Sequence, residues 1–269
     1  MRQYLLSKTD PEKLKRPARP KFCASVGRTI SRAFRDPSLL ALSVAFAMML
    51  FFSIWPNIDL DVSLAFWSDG FLLGEDRFLI SVRDLNRVLP SVLLPGLVCV
   101  LFAVPFSAGF RRIFRPHKLL LVLTFYALGP GATVHILKSL FARARPQELD
   151  DFGGNQVFTP VLSLDGACAR SCSFPSGESS TAIALLAFTI LLPKKFQLVS
   201  AATLMPFIMI VSLNRVAMGA HFLSDVLIAW PLMLAVLLSL HRLFSTYRNA
   251  IDAVFSRRAV TLPVLRKSP

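Results

Sequence analysis

Acidic residues are scarce in this sequence: 16 Asp and Glu stand against 30 Lys and Arg in 269 residues, and all four types together make up only 17%. With 54% hydrophobic residues and a mean hydropathy of +0.57, so little charge excludes an ordinary soluble domain and leaves an integral membrane protein with several spans. The shortage of acids gives a formal net charge of +14, which in a soluble protein would point to nucleic acid. Here the basic residues sit at the edges of apolar runs, where they set topology and meet anionic headgroups, so the expected partner is the membrane and not nucleic acid. A cleavable signal peptide is not expected, because the first apolar run begins only near Leu39 and is too long for a signal h-region. No internal repeat is visible. Apolar runs joined by short turns leave no room for a strand-based core, and the expected fold is an all-α, polytopic bundle of six transmembrane helices.

In chain order, residues 1–36 form a basic arm broken by Pro11, Pro17 and Pro20, with Arg28, Arg32 and Arg35 spaced to face headgroups from a short amphipathic stretch. Residues 37–242 carry the spans, expected at Ser38–Trp55, Val88–Phe110, Leu119–Phe141, Gly177–Leu192, Phe196–Leu213 and His221–Leu240, and residues 243–269 form a basic tail. Pro56–Arg87 holds six acids (Asp59, Asp61, Asp69, Glu75, Asp76, Asp84) against three arginines, which argues for the outer side, with Phe66, Trp67, Phe71 and Leu72 able to form an interfacial helix. Arg111, Arg112, Arg115 and Lys118, and then Lys194 and Lys195, mark inner turns. The expected topology therefore has both termini cytoplasmic.

That topology brings three polar stretches to one membrane face. In Asn214–Asp225, Arg215, His221 and Asp225 stand among apolar residues, a setting too costly for ionisable groups without a task. A helix from His221 onward would place His221 and Asp225 four apart on one face, so that the carboxylate orients one ring nitrogen and frees the other as a nucleophile. Lys138 and Arg145 sit at the exit of the third span, where both cations can point into one pocket; taken alone, snorkelling anchors at a helix end are the favoured reading of the pair. Pro175-Ser176-Gly177 before an apolar run reads as a helix N-terminus, where Ser caps and free amides can hold an anion, though a cap and a turn explain it without a ligand.

Together, Lys138-x6-Arg145-Pro146, Pro175-Ser176-Gly177 and Arg215-x5-His221-x3-Asp225 resemble the three-part signature of the type 2 phosphatidic acid phosphatase family of membrane phosphatases. The resemblance implies that Lys138, Arg145 and Arg215 bind the phosphoryl group, Ser176 and Gly177 donate hydrogen bonds to it, His221 is the nucleophile and Asp225 orients it. Two positions depart from the family pattern: Glu178 replaces the histidine that follows Pro-Ser-Gly, and Asn214 stands where Ser commonly precedes Arg. The family position of Glu178 belongs to the acid that protonates the leaving alkoxide. A glutamate does this only if its surroundings favour the protonated form, and three nearby cations favour the opposite. Either Glu178 donates less well, or the leaving group is good, or Glu178 orients a water or a substrate hydroxyl.

Cys168 and Cys172, four apart in the long outer loop, can form a disulfide if that side is oxidising, with free thiols as the alternative; Cys23 and Cys99 read as free. This Cys pair followed by Phe-x-Ser-Gly-Glu resembles the variant in lipid A 4'-phosphatases of alphaproteobacteria, which implies an inner-membrane protein with a periplasmic site and a lipid phosphate as substrate. No metal ligand set is read around His221, and no cofactor is expected. The competing functions are a lipid phosphatase (including one acting on undecaprenyl pyrophosphate), a lipid phosphotransferase, and a non-catalytic lipid-binding or transport relative.

Overall fold

The computed structural model describes residues 36–257. The expected amphipathic stretch with Arg28, Arg32 and Arg35 lies outside them, as do tail residues Arg258, Arg266 and Lys267. Among the described residues the chain is helical, and its only β-type pairings are the isolated bridges Trp67–Phe71 and Leu149–Gln156. Five helical segments are long and apolar enough to cross a bilayer.

Helix α1 (Pro37–Ile54) is apolar all round and opens on proline, whose fixed φ suits a first helical position. Only Ser38, Ala45 and Phe52 are buried, a spacing of seven that lays one narrow stripe along helix α10 (Leu223–Thr246) while Leu39, Phe46 and Ile54 face outward. The short helix α2 (Asn57–Leu64) follows directly, and Trp67 and Phe71 then close a tight loop packed on Phe152. The helix expected around Phe66–Leu72 is absent. Positive φ angles at Asp69 and Gly70 turn the chain there, and the aromatics serve the loop's own cluster.

Helix α3 (Arg77–Ala103) begins eleven residues before the expected start at Val88, because the Asp76 carboxylate caps it by accepting from Leu79 N at 2.9 Å. Its first three turns carry Arg83, Asn86 and Arg87. A 3₁₀ turn at Val104–Phe106 ends it early, and Ser107 caps the short helix α4 (Ala108–Ile113). The next crossing comprises α5 (Pro116–Tyr126), a π-helical stretch at Ala127–Thr133 and α6 (Val134–Phe141). Pro130 lacks the N–H that an α-helix would use, and the wider turn absorbs the break. Gly129 is required there: a Cβ would lie 2.9 Å from the Phe125 ring and 3.3 Å from Met233 Sδ of α10.

The fourth expected span is the one that differs most. Gly177–Leu192 is divided into α7 (Gly177–Ala184) and α8 (Leu186–Thr189), and bonds to the third residue back appear at the junction and the end, as in Leu185 N to Ala182 O and Leu192 N to Thr189 O. Ala182, Ile183, Ala184 and Ala187 are buried in the core, so this segment lies inside the bundle. Helix α9 (Lys194–Ala217) and α10 complete it, and α10, the most buried, packs against α1, α2, α5, α7 and α9. After α10 comes helix α11 (Arg248–Arg257), whose Asp252 accepts from His117 N at 3.1 Å. Side-chain contacts bring the C-terminal ends of α6 and α9 together with the N-terminal ends of α3, α7 and α10 at one end of the bundle.

Candidate functional site

At that end the chain between α9 and α10 turns sharply. Gly219 has φ +66°, and a Cβ there would lie 2.2 Å from the Phe71 ring, so the turn and the aromatic loop fit only around glycine. Arg215 O accepts from both Ala220 N and His221 N at 3.1 Å, which ties the turn to the last coil of α9. Helix α10 starts at Leu223, so His221 is not four apart from Asp225 on a helix face as the spacing predicts. The carboxylate instead caps α10 from its third position, accepting from Phe222 N at 2.9 Å, and this brings Asp225 Oδ2 to 3.7 Å from His221 Nδ1. Ser173 fills the interval: its hydroxyl donates to Asp225 Oδ2 and lies 3.4 Å from Nδ1. A proton on Nδ1 thus faces oxygen acceptors, leaving the lone pair on Nε2.

Nε2 faces Glu178 Oε2 at 3.3 Å. Glu178 opens α7, where Ser176 is the N-cap and accepts from Ser179 N through its hydroxyl. The other oxygen of Glu178 is 2.6 Å from Arg87 Nη2 and 3.7 Å from Arg215 Nη2. One carboxylate therefore sits between two guanidiniums and the imidazole, the location an anionic substrate group would take. Arg215 is buried, with one nitrogen 3.5 Å from Met218 Sδ and with Nε lacking a hydrogen-bond partner among the described residues. Such an under-satisfied cation is poised for an incoming acceptor.

Lys138 and Arg145 reach the same region but hold the loop as well. Lys138 Nζ donates to the carbonyls of Cys172 and Ser173, and Arg145 Nε donates to Ser171 O at 2.8 Å. The Cys168–Cys172 disulfide closes the loop between these anchors, while Cys99 is a free thiol. Gly177 is beside Lys138: a Cβ would meet its Cε at 3.9 Å. Two cavities open on either side of the Arg87 and Arg145 side chains. One of about 770 Å³ is lined by Lys138, Arg170 and Glu178, the other of about 480 Å³ by Trp67, Arg83 and Arg215, with both arginines lining each.

The structure thus brings together Lys138, Arg145, Ser176, Gly177, Glu178, Arg215, His221 and Asp225. It also adds residues that sequence reasoning missed. Arg87 is one of three loop arginines by sequence and becomes a site residue only because α3 starts early. Asn86 Nδ2 donates to Glu178 O at 3.1 Å and Asn214 Nδ2 to Leu79 O at 2.7 Å, so both asparagines dock α3 onto the site; this explains Asn214 at a position where Ser is usual in the resemblance. Arg143 and Asp59 were the largest omissions. Arg143 Nη1 is 2.7 Å from Asp225 Oδ1 and its Nη2 is 2.9 Å from Asp59 Oδ2, all three side chains being almost fully buried. Burial pushes the Asp59 carboxyl above the ordinary carboxylate range, with the Arg143 charge opposing. An arginine between two alanines directly after an apolar helix was a signal for Arg143; nothing distinguishes Asp59 from the other five acids of its loop.

Comparison with known proteins agrees with this geometry. The PAP2 superfamily model matches residues 118–249. A lipid A 4'-phosphatase of Rhizobium etli is 35% identical over 224 residues, covering 75% of this chain and 85% of its own. A lipid A 4'-phosphatase of Francisella tularensis subsp. novicida is 29% identical over 193 residues, covering 70% of this chain and 86% of its own. The fold is similar to the crystal structure of a transmembrane PAP2-type phosphatidylglycerolphosphate phosphatase from Bacillus subtilis, with a TM-score of 0.53 at 19% identity over 78% of this chain and 96% of that one. A helical membrane frame, three motif stretches gathered around one imidazole, and relatives of this similarity over most of their length make the chain a member of the PAP2 superfamily of membrane phosphatases.

Proposed function

We propose that this protein hydrolyses a phosphate ester on a lipid headgroup through a phosphohistidine at His221, and that the substrate is the 4'-phosphate of lipid A. The observation that carries the reaction is His221 itself, its Nδ1 turned to Asp225 and Ser173 and its Nε2 turned to the Glu178 carboxylate that Arg87 and Arg215 hold. Mere anion binding needs no nitrogen oriented in this way, which counts against a non-catalytic role. The relatives' names support the substrate.

In the reaction the Nε2 lone pair attacks phosphorus, the bond from phosphorus to the lipid oxygen breaks, and water later attacks phosphorus as the nitrogen–phosphorus bond breaks. Arg215, Arg145, Lys138 and Arg87 neutralise the phosphoryl oxygens, with the amides at the start of α7 as further donors. An incoming phosphate that recruits Arg87 and Arg215 displaces the Glu178 carboxylate from between them. Released from the guanidiniums beside the dianionic phosphate, Glu178 takes up a proton from solvent and gives it to the departing oxygen, and the carboxylate so formed accepts a proton from the attacking water. A sugar oxygen is a poor leaving group, which is why a donor is needed at this place. Metal ions have no step in this scheme.

Six crossings suit the topology. Gly177–Leu192, α-helical in α7 and α8 with third-residue bonds at their junction and end, covers roughly 26 Å at the rises of the two helix types, near the ~30 Å hydrocarbon core. Inner turns rich in arginine and lysine support a topology with both termini in the cytoplasm and the site at the periplasmic face of the inner membrane, where a lipid reaches it from the bilayer.

Phosphate release by detergent-solubilised protein in excess EDTA, measured on lipid A, undecaprenyl pyrophosphate, phosphatidylglycerophosphate and phosphatidic acid, tests this reading. Activity on lipid A that survives chelation is expected. Preference for another lipid would replace the substrate, and loss on chelation with recovery on Mg²⁺ would overturn the metal-free scheme. Glu178→Gln separates the roles of the carboxylate. Its kcat/KM should fall steeply on alkyl phosphates and far less on aryl phosphates, because protonation matters in proportion to the basicity of the leaving oxygen. A constant loss across the series would assign Glu178 to positioning alone.

A further inference from the structure

Behind the imidazole lies a closed charge network that the reaction as described does not use. Arg143 donates to Asp225 Oδ1, to Ser224 Oγ at 2.8 Å, to Asp59 Oδ2 and, through Nε, to Thr159 O at 2.8 Å. Its guanidinium lies over the Phe222 ring, 4.2 Å from the centroid, with Phe158 at 5.4 Å. Asp59 in turn accepts from Ser224 N at 2.9 Å and from the Ser224 hydroxyl. Asp59, Arg143 and Asp225 are 1%, 2% and 0% exposed in their side chains, so neither substrate nor water reaches them. A buried arginine needs one carboxylate for compensation, and this one has two. With both carboxylates ionised the trio carries one excess negative charge inside the protein, where unpaired charge is most costly, and burial raises the Asp59 carboxyl accordingly. That excess faces the imidazole, since Asp225 Oδ2 is the oxygen turned to Ser173 and His221.

We propose that Arg143 and Asp59 are a positioning pair for Asp225: Arg143 fixes the carboxylate and withdraws part of its charge, and Asp59 sets how much is withdrawn by competing for the same guanidinium. Through Asp225 the pair fixes the orientation of His221 and the pH below which it is protonated and inert. Asp59 ties this setting to α2, so the outer segment that follows the first membrane helix contributes to the active site without touching substrate. The inference rests on His221 as the nucleophile. The other charged groups facing the His221–Asp225 pair are Glu178 on α7, Arg215 on α9 and Lys138 on α6, with Arg87 on α3 acting through Glu178; none of them is altered in the test.

The test compares the acid limb of kcat/KM against pH in purified wild type, Asp59→Asn and Arg143→Gln, alongside thermal unfolding of each in detergent. Asp59→Asn leaves Arg143 to Asp225 alone, so Asp225 draws the imidazole proton less strongly and the acid limb should move to lower pH. Arg143→Gln leaves Asp225 uncompensated, and the limb should move to higher pH, by on the order of one pH unit. For Arg143→Gln, kcat should also fall on the order of tenfold to a hundredfold, as when a group orienting a reacting imidazole from behind is removed. Opposite displacements in the two variants support the pair. A purely structural role would lower stability or the amount of active protein and leave both limbs where they are, which would overturn the proposal. If Arg143→Gln does not fold, the isosteric Asp59→Asn decides alone: an unmoved limb contradicts the proposal. Turnover by His221→Ala would instead sink the nucleophile reading, whatever these variants do.

Discussion

Replacing His221 by alanine should lower turnover on any accepted lipid phosphate by on the order of 10⁴ or more, while the detergent-solubilised protein keeps its unfolding temperature to within a few degrees. The first expectation follows from the chemistry, because His221 Nε2 lies 3.3 Å from the carboxylate that Arg87 and Arg215 hold, the place an incoming phosphoryl group would take. The second follows from the neighbours. Asp225 keeps its bonds to Arg143, Phe222 N and Ser173, so removing the ring leaves its carboxylate hydrogen-bonded. Turnover within about tenfold of wild type would remove His221 from the role of nucleophile, since a tenfold change is only about 1.4 kcal/mol of barrier.

Arg215→Ala should have the next largest effect, a loss in kcat/KM on the order of 10² to 10³, the usual consequence of removing one preorganised donor to developing phosphoryl charge. Arg215 is singled out among the cations because its partners are poor. It has a thioether at 3.5 Å and a carboxylate at 3.7 Å, and its Nε has no acceptor among the described residues. Lys138 and Arg145 are by contrast bonded to loop carbonyls, and their removal also loosens the loop. Arg215→Lys should recover only part of the loss, because a point charge replaces a planar fork. Activity of Arg215→Ala equal to wild type would mean that the phosphate is held elsewhere along the two cavities.

The parts of this site legible in the sequence were those whose signal is one of type and spacing. His221, Asp225 and Arg215 stood out because ionisable groups are rare in apolar surroundings, and Pro175-Ser176-Gly177 because a capping residue precedes an apolar run. The spacing gave the right pair for a wrong local reason: Asp225 reaches His221 as the capping residue of α10, not as its neighbour one helical turn away. What stayed hidden were partners whose role depends on tertiary contact. Asp59 is one of six acids in a stretch that counts as outer by charge, and only packing under the long loop sets it apart. Arg87 was hidden by the start of α3, since polar residues at a membrane helix end look like loop until the Asp76 cap is seen. Gly177–Leu192 was legible as an apolar run but not as a segment divided into two short helices by third-residue bonds, a property of backbone hydrogen bonding that hydropathy does not carry.

The most direct measurement of the central claim is chemical capture of the intermediate. Protein mixed with a ³²P-labelled lipid phosphate and quenched in alkali within the first turnover should carry label that is stable to base, lost in acid, and located by peptide mapping on the segment containing His221; the His221→Ala protein should carry none. Absence of label under conditions of steady turnover, or label that persists in His221→Ala, would contradict a phosphohistidine at this position.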